Sequence, residues 1–144
     1  MQILEGAMDQ LMPLIRTQLE TGGKARLQVT GTSMTPYLRN GKDSVLLCPA
    51  KNLKKGDIIL YRRPSGRYVL HRIIRIREDY FLCCGDNQWF LETVSIHQVE
   101  ALVCARYRNG ERTPVKTFGN WCYVNLLFLR RLRCRLRDAI FGHK

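Results

Sequence analysis

A serine, a histidine and an acid follow one another along this 144-residue chain in an order that nucleophilic catalysis uses. Ser33 lies in a turn-forming segment, His71 lies in an apolar run, and Asp86 follows a glycine. A serine hydroxyl becomes a nucleophile when a base removes its proton, and an acid orients that base. Glu92 is a second candidate acid, and the residues alone leave the choice between Asp86 and Glu92 open.

The segment around Ser33 has the residue types of a tight turn that presents a side chain. Gly31 permits backbone conformations that other residues avoid, and Pro36 fixes its own φ. Thr32 directly precedes the serine, and Met34 is expected to be a buried apolar neighbour of the site. An ordinary turn between strands is the alternative interpretation, and the histidine and acid downstream favour the catalytic one.

One of the three histidines lies where a general base would be expected. Alternation places His71 on the same face of a strand as Ile73, which predicts an inward-facing side chain. A lone histidine there is more often a hydrogen-bonded core residue, but its combination with Ser33 favours a base. His97 and His143 do not lie in an apolar run of this kind and are predicted to lie on the surface.

The hydrophobic pattern changes period twice along the chain. Residues 2–20 have apolar side chains at three- to four-residue spacing, with Pro13 inside, which predicts an amphipathic helix. Residues 121–141 return to helical spacing. Between them, short apolar runs separated by polar turns predict antiparallel strands at 26–29, 43–48, 57–63, 67–76, 80–84 and 99–107.

These elements predict a mainly β (α+β) protein. A small antiparallel β body over residues 24–115 is flanked by an N-terminal amphipathic helix in 1–23 and a basic amphipathic helix in 116–144. A length of 144 residues is enough for one core. No run approaches the ~20 apolar residues of a membrane-spanning helix, so we expect a cytoplasmic protein or one held at the inner face of the membrane from the side.

Composition narrows the possible partners and excludes some kinds of site. The net charge is +12, which favours acidic partners such as an acidic peptide, anionic lipid or nucleic acid. The six cysteines contain no Cys-x-x-Cys pair, so neither a zinc site nor a disulfide framework is indicated, and free thiols in a reducing compartment are expected. No metal or cofactor is predicted.

Five segments of the chain resemble, in the same order, those of the signal peptidase family and the related self-cleaving LexA-type repressors. The resemblance covers roughly residues 27–108 and implies the small β fold of that group. The matching segments are GTSMTPYL (31–38), KGDIILYRR (55–63), YVLHRII (68–74), CGDNQ (84–88) and QVEALV (98–103).

The resemblance also implies roles for individual residues. Typical bacterial members use lysine as the base, but here His71 precedes Arg72, as in the Ser-His-Asp branch of the endoplasmic reticulum, archaea and some sporulating bacteria. Ser33 is thereby implied as nucleophile and His71 as general base. Asp86 matches the aspartate of the Gly-Asp-Asn motif and is the favoured acid, and Glu92 is a substitute acid near the place where that branch carries one.

Three features depart from the family pattern. The usual transmembrane anchor has no counterpart, because residues 2–20 read as an amphipathic helix. Gly31 stands where some relatives carry a hydroxyl that assists the oxyanion hole, so the Ser33 amide, Thr32 or Thr30 would have to donate instead. The acid that follows the Gly-Asp-Asn motif is a glutamate.

The expected function is a serine endopeptidase that cleaves a leader or precursor peptide through an acyl-enzyme. The peptide is expected to lie extended beside the strands near 27–30 and 68–70. A catalytically weak peptide-binding or regulatory module of the same fold is the alternative. Nucleic-acid binding is disfavoured because residues 2–20 are too poor in lysine and arginine for a recognition helix.

The C-terminal helix has two interpretations. In the first, its apolar side packs on the β body and its arginines face solvent. In the second, it is a peripheral contact with anionic membrane, with Trp121, Tyr123 and Phe128 at the interface.

Overall fold

The computed structural model describes residues 3–115 and 118–142, which form an antiparallel sheet with helices at both ends of the sequence. The α+β class, a β body flanked by helices, is confirmed. The helices are α1 (Ile3–Glu20), α2 (Phe118–Asn125) and α3 (Leu127–Phe141). The strands are β1 (Ala25–Gln28), β2 (Ser44–Cys48), β3 (Ile58–Arg62), β4 (Tyr68–Ile76), β5 (Tyr80–Cys84), β6 (Glu92–Ser95), β7 (Val99–Arg108) and β8 (Glu111–Pro114).

The sheet buries apolar side chains on both of its faces. Its strand order is β1-β2-β7-β3-β4-β5-β6, and β8 pairs with β7. Because side chains alternate along a strand, Ile58 and Leu60 of β3 enter one core, and Ile59 and Tyr61 enter the other. We call these the first core, which includes α1, and the second core.

The helix α1 covers the first core because its apolar residues recur at helical spacing. Met12, Ile15 and Leu19 are buried there. The predicted helix over 2–20 corresponds to Ile3–Glu20, and it continues through Pro13. Gly22, with φ of 80°, ends it in a left-handed conformation that favours glycine.

The C-terminal segment differs from the prediction in two ways. The single helix predicted over 121–141 is divided at Leu126 into α2 and α3. The packing of α3 is also opposite to the first interpretation, because Arg130 is buried, whereas Phe128 is 77% exposed. The second interpretation places Tyr123 at a membrane interface, but this tyrosine packs on Tyr37 with ring centroids 5.9 Å apart.

Candidate active site

Ser33 lies in the loop between β1 and β2, at the start of a tight turn. Gly31 has φ of 80°, and a Cβ there would meet nothing within 4 Å, so its conformation rather than space favours glycine. The Gly31 N–H donates to Asn40 Oδ1 at 3.0 Å, and the Leu38 N–H donates to the Met34 carbonyl at 2.8 Å. Ser33 is left half-buried at the rim of this turn.

The loop that follows β5 holds the main chain of Ser33. The Asn87 N–H donates to the Ser33 carbonyl at 2.8 Å, and Asn87 Nδ2 donates to the Thr32 carbonyl at 3.1 Å. A Cβ on Gly85 would come within 2.5 Å of the Ser33 carbonyl oxygen. Glycine at position 85 therefore allows the two chain segments to touch.

The register of the sheet sets His71 beside Gly85, at the start of the loop that follows β5. Arg72 pairs with Cys84 across β4 and β5, so the next position on each strand sets His71 beside Gly85. Because the Ser33 carbonyl lies against Gly85, this register places the segment that bears Ser33 next to the strand that bears His71. His71 is 1% exposed, as its predicted inward orientation requires.

A tyrosine connects His71 to an acid. The Tyr61 hydroxyl lies 3.0 Å from His71 Nδ1 and donates to Glu92 Oε2 at 2.9 Å. A tyrosine hydroxyl carries one hydrogen, so it accepts from the Nδ1–H of His71 while it donates to Glu92. The imidazole proton is thereby placed on Nδ1, and Nε2 keeps its lone pair. We call this chain of groups the Glu92–Tyr61–His71 relay.

The free imidazole nitrogen is poised to accept a proton. Nε2 of His71 is buried and has no hydrogen-bond partner among the described residues, so it is not bonded to Ser33 here. Burial lowers the pKa of His71 to about 4, with Glu92 opposing that shift and Arg63 adding to it. His71 is therefore uncharged at neutral pH, as a general base must be.

Arg63 keeps the acid of the relay ionised. Its Nε and Nη2 donate to the two Glu92 oxygens, each at 2.8 Å. Burial alone would raise the pKa of Glu92, but hydrogen bonds from Arg63 and Tyr61 and the Arg63 charge bring it below its ordinary value. Burial, followed by the charge of Glu92, raises the pKa of Tyr61, so the hydroxyl stays protonated and can donate.

The preference for Asp86 as the orienting acid is corrected by its contacts. Both of its oxygens accept hydrogen bonds from Arg72, at 2.9 and 2.8 Å, and both side chains are fully buried. Glu92 Oε2, in contrast, lies 3.8 Å from His71 Nδ1. Adjacent residues of a strand point to opposite faces, so a carboxylate bound to Arg72 lies across the sheet from His71.

The remaining predicted site residues divide between core and surface. Met34 is buried in the first core, and its sulfur accepts from the Asp86 N–H at 3.4 Å. Thr32, Gly31 and Pro36 are exposed. Among the described residues, the Ser33 N–H has no hydrogen-bond acceptor, so it remains available to stabilise an oxyanion.

Tyr61 and Arg63 are the residues of this site that the sequence analysis missed. The signal for Tyr61 was a hydroxyl within the apolar run of β3, since a buried tyrosine hydroxyl needs a partner. His97 is exposed, as predicted, and His143 lies outside the described residues.

The low pKa of His71 predicts a stability change at mildly acidic pH. The unfolded chain binds a proton at the ordinary histidine pKa of 6.5, whereas folded His71 binds one only near 4. Stability therefore falls as the pH drops from 6.5 towards 4. From pH 7 to pH 5 we expect the free energy of unfolding to fall by about 2 kcal/mol more in the wild type than in His71→Gln.

Urea denaturation at the two pH values checks this, with the exposed His97→Gln as matched control. Carboxylates at their ordinary or lowered pKa contribute little to the change in this range. Equal pH dependence in wild type and His71→Gln would contradict a buried, uncharged His71.

Three further observations concern the described part of the chain. It contains no helix with both the length and the apolar character needed to cross a bilayer. It also brings together no group of three or more histidine, cysteine, aspartate or glutamate side chains that could hold a metal ion. The six cysteines are free.

Comparison of the sequence with models of known families gives no match, and comparison with curated proteins gives none either.

Proposed function

We propose that the chain is a serine endopeptidase of the signal-peptidase-like type, with Ser33 as nucleophile and His71 as general base. The observation that carries the proposal is the state of His71. It is buried and uncharged, its Nδ1 lies 3.0 Å from the Tyr61 hydroxyl, and its Nε2 has no hydrogen-bond partner among the described residues. The register of β4 and β5 sets His71 beside Gly85, against which the Ser33 carbonyl lies. A histidine with a structural role alone would be expected to use both nitrogens in hydrogen bonds.

In the proposed reaction Ser33 Oγ attacks a peptide carbonyl while His71 Nε2 takes the hydroxyl proton. The Ser33 N–H donates to the oxyanion. Collapse of the tetrahedral intermediate breaks the C–N bond, and His71 returns the proton to the departing amine. Water then adds to the acyl-enzyme ester by the same steps, releasing the acid product and regenerating Ser33. Before each proton transfer to His71, the relay keeps the neutral imidazole in the tautomer whose Nε2 can accept.

The substrate of this proposal is an extended segment of a leader or precursor peptide. Residues 68–70 of β4 pair with β3, whereas the pairing of β4 with β5 starts at Arg72. The other edge of 68–70 is therefore open to an added strand within the described sheet. The strand β1 is also an edge strand, and it leads into the loop of Ser33. Free cysteines agree with a cytoplasmic site of action.

A pool of synthetic peptides that samples all residue types around each bond, analysed by mass spectrometry, tests the proposal. Wild type and Ser65→Ala should cut the same bonds, and Ser33→Ala should cut none. Ser65 is the matched control because it is an exposed serine in a turn away from His71. Cleavage that survives in Ser33→Ala would show that another group or a contaminant is responsible.

A second candidate is a peptide-binding module without activity. It is favoured by the missing hydrogen bond between Ser33 and His71 Nε2. In that case wild type and Ser33→Ala would bind the same peptides of the pool equally well, and neither protein would cut them.

A further inference from the structure

The helix α3 buries an arginine and leaves its large apolar side chains exposed, some of them along a groove beside β4. Its buried residues are Arg130 and Cys134. Arg130 Nη1 donates to the Tyr123 carbonyl at 2.9 Å, and Arg137 hydrogen-bonds Asn87. The large apolar residues of α3 are exposed: Phe128 (77%), Leu129 (56%), Leu132 (49%), Leu136 (55%), Ile140 (72%) and Phe141 (72%).

Five of these six residues form a continuous stripe, and Phe141, the last residue of the helix, lies on the side of Arg130. At about 100° per residue, Phe128, Leu132 and Ile140 fall within an arc of about 120°, which also contains Leu129 and Leu136. The centre of that arc is opposite the buried Cys134 and about 140° from the buried Arg130. A helix that packs on a globular core normally turns such a stripe inward. We call this stripe the apolar face of α3.

Arginines border the apolar face on both sides. Arg131 and Arg135 lie along one border and Arg133 along the other, and all three are exposed. Two further cations, Lys55 and Arg75, line the groove between α3 and β4. The only acid in the α3 sequence, Asp138, pairs with Arg137. The surroundings of the apolar face are therefore strongly positive.

We propose that α3 docks on the surface of an anionic lipid bilayer. The helix lies flat, its apolar face enters the boundary between headgroups and acyl chains, and the bordering arginines contact lipid phosphates. With 15 residues, α3 is too short to span the bilayer. Charge argues against a second copy of the chain as the occupant, because pairing two such faces would bring two sets of arginines together without acids to balance them.

Vesicle co-sedimentation tests this proposal independently of any peptidase activity. The wild type should pellet with vesicles of phosphatidylcholine and phosphatidylglycerol at low salt, and binding should weaken as salt is added. Vesicles of phosphatidylcholine alone should bind it more weakly. The triple variant Phe128→Ser, Leu132→Ser, Ile140→Ser should lose about 10-fold or more of the partition coefficient, because these side chains no longer enter the apolar layer.

Matched variants distinguish binding through the apolar face of α3 from non-specific adsorption to vesicles. Leu11→Ser, Leu14→Ser, Ile96→Ser removes three exposed apolar side chains elsewhere, and it should bind as the wild type does. For charge, Arg131→Gln, Arg133→Gln, Arg135→Gln should bind several-fold less than a variant with Lys42, Lys51 and Lys54 all changed to glutamine. The two charge variants have the same net charge.

Three results would overturn the proposal. The wild type could fail to bind anionic vesicles, or the serine variant in α3 could bind as well as the wild type. Alternatively, sedimentation could show a dimer that the α3 serine variant dissociates, without vesicle binding, and the apolar face would then be an interface between copies.

Discussion

Replacing His71 with glutamine should lower kcat/KM for peptide cleavage by about six orders of magnitude, as expected when a serine nucleophile loses its base. Glutamine is similar in size and cannot accept the proton from Ser33 Oγ. The loss should appear in kcat, because His71 is buried and has little surface with which to bind substrate. The measurement is steady-state cleavage of a peptide selected from the pool, with His97→Gln as a control of equal chemistry at an exposed position.

The relay predicts that removing the Tyr61 hydroxyl lowers activity less than removing His71 does. Tyr61→Phe keeps the ring in the second core but removes the hydroxyl, and Glu92 at 3.8 Å is then too far from Nδ1 for a hydrogen bond. Without the Tyr61 hydroxyl, Nδ1–H has no acceptor, and the tautomer with a free Nε2 is no longer favoured. We therefore expect kcat to fall by about 100-fold, with KM little changed. Full activity in Tyr61→Phe would mean that something else orients His71, and full activity in His71→Gln would exclude it as the base.

The sequence predicted the β body because alternation and helical periodicity are local signals. The strands β6 and β8 were missed, since each has four residues and carries polar side chains such as Glu92 and Thr113. The break at Leu126 was also missed, because apolar spacing continues through it. Short elements of this kind depend on the strands or helices beside them rather than on their own pattern.

The orienting acid could not be chosen from the sequence because the choice depends on sheet register. Asp86 follows the strand that pairs with Arg72, and its carboxylate lies on the Arg72 side. Glu92 pairs with Cys83, which in turn pairs with Ile73 on the His71 side. Alternation along β4 shows from the sequence that His71 and Arg72 face opposite sides of the sheet. Which acid lies on the His71 side becomes clear only from the pairing of β5 with β6.

The orientation of α3 was equally beyond the sequence. Periodicity predicted an amphipathic helix, but which side of it faces the protein depends on the partners that the β body offers. Asp86 lies 3.5 Å from Arg130, and Asn87 accepts from Arg137. Because these groups of the β body are polar, the arginine-bearing side of α3 packs against them.

Replacing Asp86 with alanine should destabilise the fold by about 3–5 kcal/mol, the usual effect of removing one partner from a buried ion pair. Arg72 is fully buried, and Asp86 accepts two of its hydrogen bonds. A third goes to the Gly56 carbonyl at 2.9 Å, and the guanidinium carbon lies 5.0 Å from the ring centre of Tyr37. These contacts hold the arginine in place and leave it little freedom to reach water.

Urea denaturation at pH 7 measures this loss, with Glu100→Ala as the matched control. Glu100 also pairs with an arginine, Arg16, but that arginine is 42% exposed, so its loss should cost about 1 kcal/mol or less. Changing both members of the buried pair, Arg72→Met with Asp86→Ala, should recover part of the stability, because Arg72 is then no longer a buried charge without its partner. The recovery stays partial because Arg130 still loses the Asp86 carboxylate, 3.5 Å away. An Asp86→Ala variant as stable as Glu100→Ala would mean that Arg72 has another way to satisfy its charge.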